Sequence, residues 1–288
     1  MIHVYDDELS AAQWYFGSRT CDFYLYGIKE LRASLSQYPF IDVQSRSDGD
    51  LIRVGEPAIT ITIRRASVLK YGNMIETLLY NTVWYRSTVG TILIGMKDTL
   101  IRNGFSVYSA FPQTGRASVN HEQTLVANEM FERVFYKLGT ELRSVATHNE
   151  ILMTSERFCL QNYRSVMADT YDIANFCELC HELDYTGNIM IDSSPIIENI
   201  DYVLSHTNNT ISQVESITIN EWHELVEHYS GNKRLTFGIG SCCFTNISRD
   251  TFGLVFKTCA IERNGKWIGV SKQTSNKKTH NGYVGKLS

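Results

Sequence analysis

From residue 140 to residue 240 short apolar runs alternate with helical segments, and this alternation constrains the fold more than any other feature of the sequence. Residues 165–168, 188–191 and 235–238 read as strands, with a short one at 214–217. Helical periodicity covers 171–183, 196–205 and 221–229. Strands that alternate with helices argue βαβ units, and so a parallel sheet or an α/β barrel.

The chain ends read differently. Ile59, Ile61 and Ile63 fall on one side of the run 51–65 and Thr60 and Thr62 on the other, the period-2 pattern of a half-buried strand. Gly55-Glu56-Pro57 before it reads as a turn. Met74, Ile75, Leu78 and Leu79 open a helical stretch over 72–103. An interruption is expected at Tyr85-Arg86-Ser87, with Ser87 capping a second helix. Residues 122–137 predict another amphipathic helix, and the tail from 251 returns to strands and turns. The expected organisation is a mixed β/α domain from 1–105 and 245–288, and an α/β barrel-like domain over 106–244.

Composition excludes several classes. Hydrophobic residues make up 43% and charged residues 20%, so a disordered chain is excluded. No apolar run approaches the roughly 18 residues of a membrane helix. Residues 1–8 lack the basic and apolar regions of a signal peptide, so no membrane association and a cytoplasmic location are expected. A net charge of −4 and the lack of a basic run argue against a nucleic-acid partner. The 7 cysteines then read as reduced thiols rather than a disulfide framework.

Two motifs read as packing. Cys177-Glu178-Leu179-Cys180-His181 has the c-type haem spacing. Ile173, Phe176, Cys177 and Cys180 nevertheless form one helical stripe, where free cysteine is a small hydrophobe. His223 and His228 sit five apart, whereas a zinc-protease helix needs four. Thr218 and Glu221 read as a capping box before them.

Other residues point to anion chemistry. Phe237-Gly238-Ile239-Gly240-Ser241 reads as a glycine turn after a strand, which can offer N–H groups to phosphate. Arg249, Lys257 and Lys272 follow in the same block. Lys257 shares an apolar strand face with Val255, Cys259 and Ile261, where its ammonium needs a partner such as phosphate or snorkels at the edge. His148 lies in a polar stretch, and Asp169 follows a predicted strand, where α/β folds face ligand.

Taken together these segments resemble the nicotinate/nicotinamide phosphoribosyltransferase family. The strongest match runs from Phe237-Gly238-Ile239-Gly240-Ser241 through Ser248-Arg249-Asp250 to Lys257-Thr258-Cys259. Asp169-Thr170-Tyr171-Asp172-Ile173-Ala174-Asn175 is similar to the family's D-S-Y-D-I-x-N segment, and Asn73-Met74-Ile75-Glu76-Thr77 to its W-I-E-T helix. The resemblance implies a type II phosphoribosyltransferase-like fold, with an α/β barrel-like core, complete or incomplete, and a mixed β/helix domain from both chain ends. It implies transfer of phosphoribosyl from phosphoribosyl pyrophosphate to nicotinamide, giving nicotinamide mononucleotide for NAD synthesis. His148 would be the histidine phosphorylated when ATP hydrolysis is coupled to synthesis, and Asp169 its orienting carboxylate. Arg19, Gly240, Ser241, Arg249, Lys257 and Lys272 would bind phosphate. Asp192 and Glu215 would bind ribose, and Phe111 and Arg116 the base. Mg²⁺ would arrive with phosphoribosyl pyrophosphate, no residue being assigned as a metal ligand, and the site would be shared across a homodimer. The motif I-R-P-D-S-G stands here as Met190-Ile191-Asp192-Ser193-Ser194, without its arginine, and G-D-G as Val214-Glu215-Ser216. These losses define the alternative, a pseudoenzyme that binds a nucleotide or a partner protein.

Overall fold

The structure, a computed structural model, describes residues 9–113, 121–136, 144–240, 244, 247–248 and 250–270. In chain order its first elements are β1 (Leu9–Ser18), β2 (Phe23–Tyr24), α1 (Ile28–Leu35), β3 (Ile41–Ser45), β4 (Leu51–Ile52), β5 (Ile59–Arg64), α2 (Arg65–Leu79), α3 (Tyr85–Arg102) and β6 (Ala110–Gln113). There follow α4 (His121–Phe135), β7 (Val145–Ala146), α5 (His148–Met153), α6 (Glu156–Asn162), β8 (Ser165–Met167), α7 (Ile173–Glu182) and β9 (Asn188–Ile191). The last are α8 (Ile196–His206), β10 (Ile211–Gln213), α9 (Ile219–His228), β11 (Leu235–Gly240), β12 (Leu254–Arg263) and β13 (Lys266–Gly269). Two compact units result, Met1–Ile92 with Ile247–Ser288, and Leu93–Asn246, the division falling inside α3.

The first unit is built on an antiparallel sheet in the order β13-β12-β1-β5-β3. Ile59, Ile61 and Ile63 join Trp14 and Phe16 of β1 and Leu254 and Phe256 of β12 in one apolar cluster, with Leu31 and Leu35 of α1 and Ile75 and Leu79 of α2. Each such side chain taken from water contributes about 1.5–3 kcal/mol. The sequence pattern identifies the face but not what covers the other one. Thr60 is buried too, because β5 lies between β1 and β3.

The helical stretch corrects the sequence reading at two points. It starts at Arg65 rather than residue 72, and it does not break at Ser87. A π-helical turn, Tyr80–Trp84, joins α2 to α3 instead. Arg86 Nη1 donates to the carbonyls of Asn81 (3.3 Å) and Thr82 (3.2 Å) in that turn. Ser87 caps nothing: its hydroxyl accepts from the Tyr26 N–H at 2.9 Å and donates to the Tyr26 carbonyl at 3.1 Å. Gly27, the N-cap of α1, has φ +95°, and a Cβ there would overlap the carbonyl of Thr82. Gly27→Ala therefore meets both a left-handed backbone and a main-chain clash. It should lower unfolding stability by about 2–3 kcal/mol in urea melts; an unchanged midpoint would show that the close approach does not matter.

The second unit is a parallel sheet in the order β6-β11-β10-β9-β8-β7. Consecutive strands from β7 to β11 are neighbours, each pair joined by helices, as βαβ units require. Among the described residues β6 and β7 do not pair, so the core is a curled half-barrel rather than a closed one. The strand expected at 214–217 is β10, three residues earlier, where Ile211 pairs with Ile189 and Leu235. One face carries Ile189, Ile191, Ile211, Leu235, Phe237 and Ile239, all buried. Phe237 takes Phe105 edge-on at 5.0 Å and Trp222 of α9 at 6.0 Å. The other face carries a polar ladder: the Ser212 hydroxyl donates to Asn188 Oδ1 (3.1 Å) and shares a hydrogen bond with Thr236 (2.7 Å).

The two decoy motifs are packing. Phe176, Cys177 and Cys180 are buried on α7, and burial pushes the thiols up to about 11 (Cys177) and about 12 (Cys180). Thr218 and Glu221 form the capping box of α9, and Trp222, Leu225 and Val226 are its buried stripe. Arg234, which no sequence signal marks, closes the end of α8. Its guanidinium donates to the carbonyls of Leu204 (3.0 Å), Thr207 (2.6 Å) and Asn209 (3.0 Å), satisfying acceptors that a helix terminus leaves open.

Candidate active site

The C-terminal ends of the parallel strands hold the chemistry. Past β7, Thr147 and Glu150 form a capping box that starts α5 at His148. Past β8, two consecutive residues flank the imidazole. Thr170 Oγ1 is 2.8 Å from Nδ1, and Asp169 Oδ1 is 3.9 Å from Nε2. Past β9, Asp192 Oδ2 lies 3.8 Å from the same Nε2. The structure thus brings His148, Asp169 and Asp192 together. Asp169, at 3.9 Å, lies outside hydrogen-bond reach of the ring, and the hydrogen bond the imidazole does make is the one shared between Nδ1 and the Thr170 hydroxyl.

Asp169 is the fixed point of the cluster. Its side chain is 4% exposed, against 33% for His148 and 32% for Asp192. Oδ2 accepts the Asp192 main-chain N–H at 2.8 Å, which ties the ends of β8 and β9. Oδ1 is buried with no hydrogen-bond partner among the described residues. An acceptor left so costs stability, which suits a group kept for a ligand or a proton.

The ends of β10, β11 and β6 form a second cluster. Glu215 Oε1 accepts the Ser194 hydroxyl at 2.6 Å. Gln213 donates to the Glu215 carbonyl (2.5 Å), and Gln113 to the Val214 carbonyl (3.1 Å). Gln213 Oε1 and Glu215 Oε2 are further buried acceptors with no partner among the described residues. Thr170, Ser194, Gln113 and Gln213 were not singled out by the sequence; their positions just at or past strand ends were the available signal.

The expected glycine turn is strand instead. Gly238 pairs with Phe111 and Gly240 with Gln113, so β11 runs through both. A Cβ on Gly238 would overlap the Gln113 amide and stand 2.9 Å from the Gln213 carbonyl. The glycine serves close packing of two strand ends, not a turn. Phe111 is buried on β6, two residues before Gln113 and so on its face of the strand.

Arg19 and Lys257 belong to the first unit. The Arg19 N–H donates to the Gly253 carbonyl (3.2 Å), and its Nε is buried with no partner among the described residues. Lys257 is exposed on β12 opposite Tyr15. Its expected apolar face breaks at a register shift: Gln13 pairs with Ala260 but Trp14 with Thr258, and the Cys259 thiol donates to the Gln13 carbonyl (3.4 Å). Arg116, Ser241, Arg249 and Lys272 lie outside the described residues.

A half-barrel of parallel strands with acidic and imidazole groups at their C-terminal ends, and a separate antiparallel unit from both chain ends, is the type II phosphoribosyltransferase architecture. Similar solved structures share it. The nicotinate-nucleotide pyrophosphorylase from Pyrococcus furiosus superposes with a TM-score of 0.66 over 94% of this chain and 73% of its own, at 14% identity. NadC from Streptococcus pyogenes gives 0.59 over 90% of each chain, also at 14% identity. Human nicotinic acid phosphoribosyltransferase gives 0.55 over 88% of this chain and 71% of its own, at 15% identity. At such identities the likeness is one of fold. Residues 83–285 match the nicotinate phosphoribosyltransferase (NAPRTase) family, and the chain belongs to that family. It is also 34% identical over 91 residues to nicotinamide phosphoribosyltransferase of Mycoplasma genitalium, a match spanning 25% of this chain and 20% of that protein.

Gly238→Ala tests the second cluster. It should displace Gln113 from the Val214 carbonyl and lower Tm by about 2–4 °C for each kcal/mol lost. A Tm equal to that of the unsubstituted protein would show that the Gln113 amide moves aside without cost.

Proposed function

We propose that the protein transfers the phosphoribosyl group of phosphoribosyl pyrophosphate to nicotinamide, releasing pyrophosphate and nicotinamide mononucleotide. The observation that carries this reading is the placement of His148 between the carboxylates of Asp169 and Asp192 at the strand ends of a phosphoribosyltransferase half-barrel. Family membership and the name of the Mycoplasma genitalium relative support it.

The pyridine nitrogen attacks C1 of the ribose while the bond from C1 to pyrophosphate breaks. The transition state carries positive charge on the sugar ring, so fixed negative charge near it lowers the barrier. Asp169 and Asp192 supply that charge, and Asp192 and Glu215 accept from ribose hydroxyls. Among the described residues no group of three or more His, Cys, Asp or Glu is placed to hold a metal. Mg²⁺ commonly keeps most of its coordination for water and substrate phosphates, so an ion arriving with phosphoribosyl pyrophosphate would be held chiefly by the pyrophosphate oxygens. The ion would neutralise the leaving group. His148 takes the phosphoryl group where ATP is used. The name of the Mycoplasma genitalium relative favours nicotinamide over nicotinate as the acceptor.

Isotope-labelled nicotinamide with phosphoribosyl pyrophosphate and Mg²⁺ should yield labelled mononucleotide by mass spectrometry, and labelled nicotinate in parallel should yield much less. Product from neither would leave the binding-protein reading in its place. We further propose a homodimer that shares its sites, with Arg19 and Lys257 reaching phosphate. Sedimentation at micromolar concentration should show the dimer, and a monomer there would contradict it.

A further inference from the structure

We propose that Thr170 is the positioning residue of His148, holding the ring through Nδ1 so that Nε2 faces Asp169 and Asp192 in either tautomer. This deepens the reading of His148 as the reacting side chain and rests on it. The two carboxylates lie beside the ring but do not orient it, since 3.9 Å and 3.8 Å exceed hydrogen-bond distance. The directional contact is the Thr170 hydroxyl at 2.8 Å from Nδ1. A hydroxyl both donates and accepts. It therefore keeps its bond to Nδ1 whether that nitrogen carries the proton or a lone pair. Nε2 can then gain or lose a proton, or take and release a phosphoryl group, without a ring flip. A carboxylate or a lysine at position 170 would favour one tautomer and oppose the other.

Thr170 is itself well placed to act as a fixed support. It follows Asp169, whose Oδ2 is held by the Asp192 N–H. It precedes Asp172, the N-cap of α7, whose side chain accepts from the Asn175 N–H at 2.9 Å. The chain is thus held on both sides of Thr170, one residue before it and two after. The family-like segment Asp169-Thr170 places the charge partner and the orienting partner of one imidazole on adjacent residues.

The test compares Thr170→Val, which keeps the shape, with Thr170→Ser, which keeps the hydroxyl. Two-bond proton–nitrogen spectra of uniformly ¹⁵N-labelled protein read the tautomer of His148 directly, its signals assigned by their loss in His148→Gln. Thr170→Ser should reproduce the two ring-nitrogen shifts of the unsubstituted protein, and Thr170→Val should move both. In turnover, Thr170→Val should lower ATP-stimulated kcat by about tenfold, the scale of one lost hydrogen bond, with KM for nicotinamide unchanged. Thr170→Ser should restore it. His148 signals in Thr170→Val that superimpose on those of the unsubstituted protein would overturn the proposal, as would failure of serine to restore them. Thr170→Ala replaces the valine variant if valine disturbs folding. The spectra do not depend on turnover, so a protein without transferase activity would refute the proposed function and leave the role of Thr170 decided by the ring shifts.

Discussion

Parallel pairing of consecutive strands is the constraint on which the site depends. When β7, β8, β9, β10 and β11 lie side by side and point the same way, all their C-terminal ends fall on one edge. His148, Asp169, Asp192 and Glu215 are far apart in sequence, yet each follows the end of one of these strands. The helices that return the chain bury the opposite sheet face through Phe237, Trp222 and their neighbours. That burial supplies the stability against which the edge can hold groups that do not help folding.

Those groups are visible as buried oxygens without partners among the described residues: Asp169 Oδ1, Gln213 Oε1 and Glu215 Oε2. In the second unit Glu156 Oε1 and Trp222 Nε1 are buried without a partner among the described residues as well, each alone on its helix, while many other polar groups there are paired. Arg234 closes a helix end, Asn188, Ser212 and Thr236 share a ladder, and capping boxes start α5 and α9. The gathering of three such acceptors at the strand-end edge marks it as the place where folding and function pull in different directions.

Much of the architecture was legible because it rests on periodicity. The isoleucines of β5, the stripes of α7 and α9 and the order of the βαβ units all follow from spacing along the chain. What was not legible depends on register and on distant partners. The π-helical turn at Tyr80–Trp84 follows a continuous helical pattern, and Ser87 looked like a cap until Tyr26 was found against it. Gly238 and Gly240 looked like a turn because pairing with β6 cannot be read from β11 alone. At the site, His148 and Asp169 stood out by residue type and by resemblance. Thr170 did not, because a threonine beside an aspartate carries no chemical signal until an imidazole is seen on its hydroxyl.

The central claim is that phosphoribosyl pyrophosphate binds at the strand-end edge of the half-barrel with its ribose beside Asp169 and Asp192. A crystal structure with phosphoribosyl pyrophosphate and Mg²⁺ tests it most directly. The account predicts ribose hydroxyls within hydrogen-bond distance of Asp192 and Glu215, and C1 near the His148–Asp169 pair. Ligand bound at any other place on the chain, with the three buried acceptors still unpartnered, would contradict it.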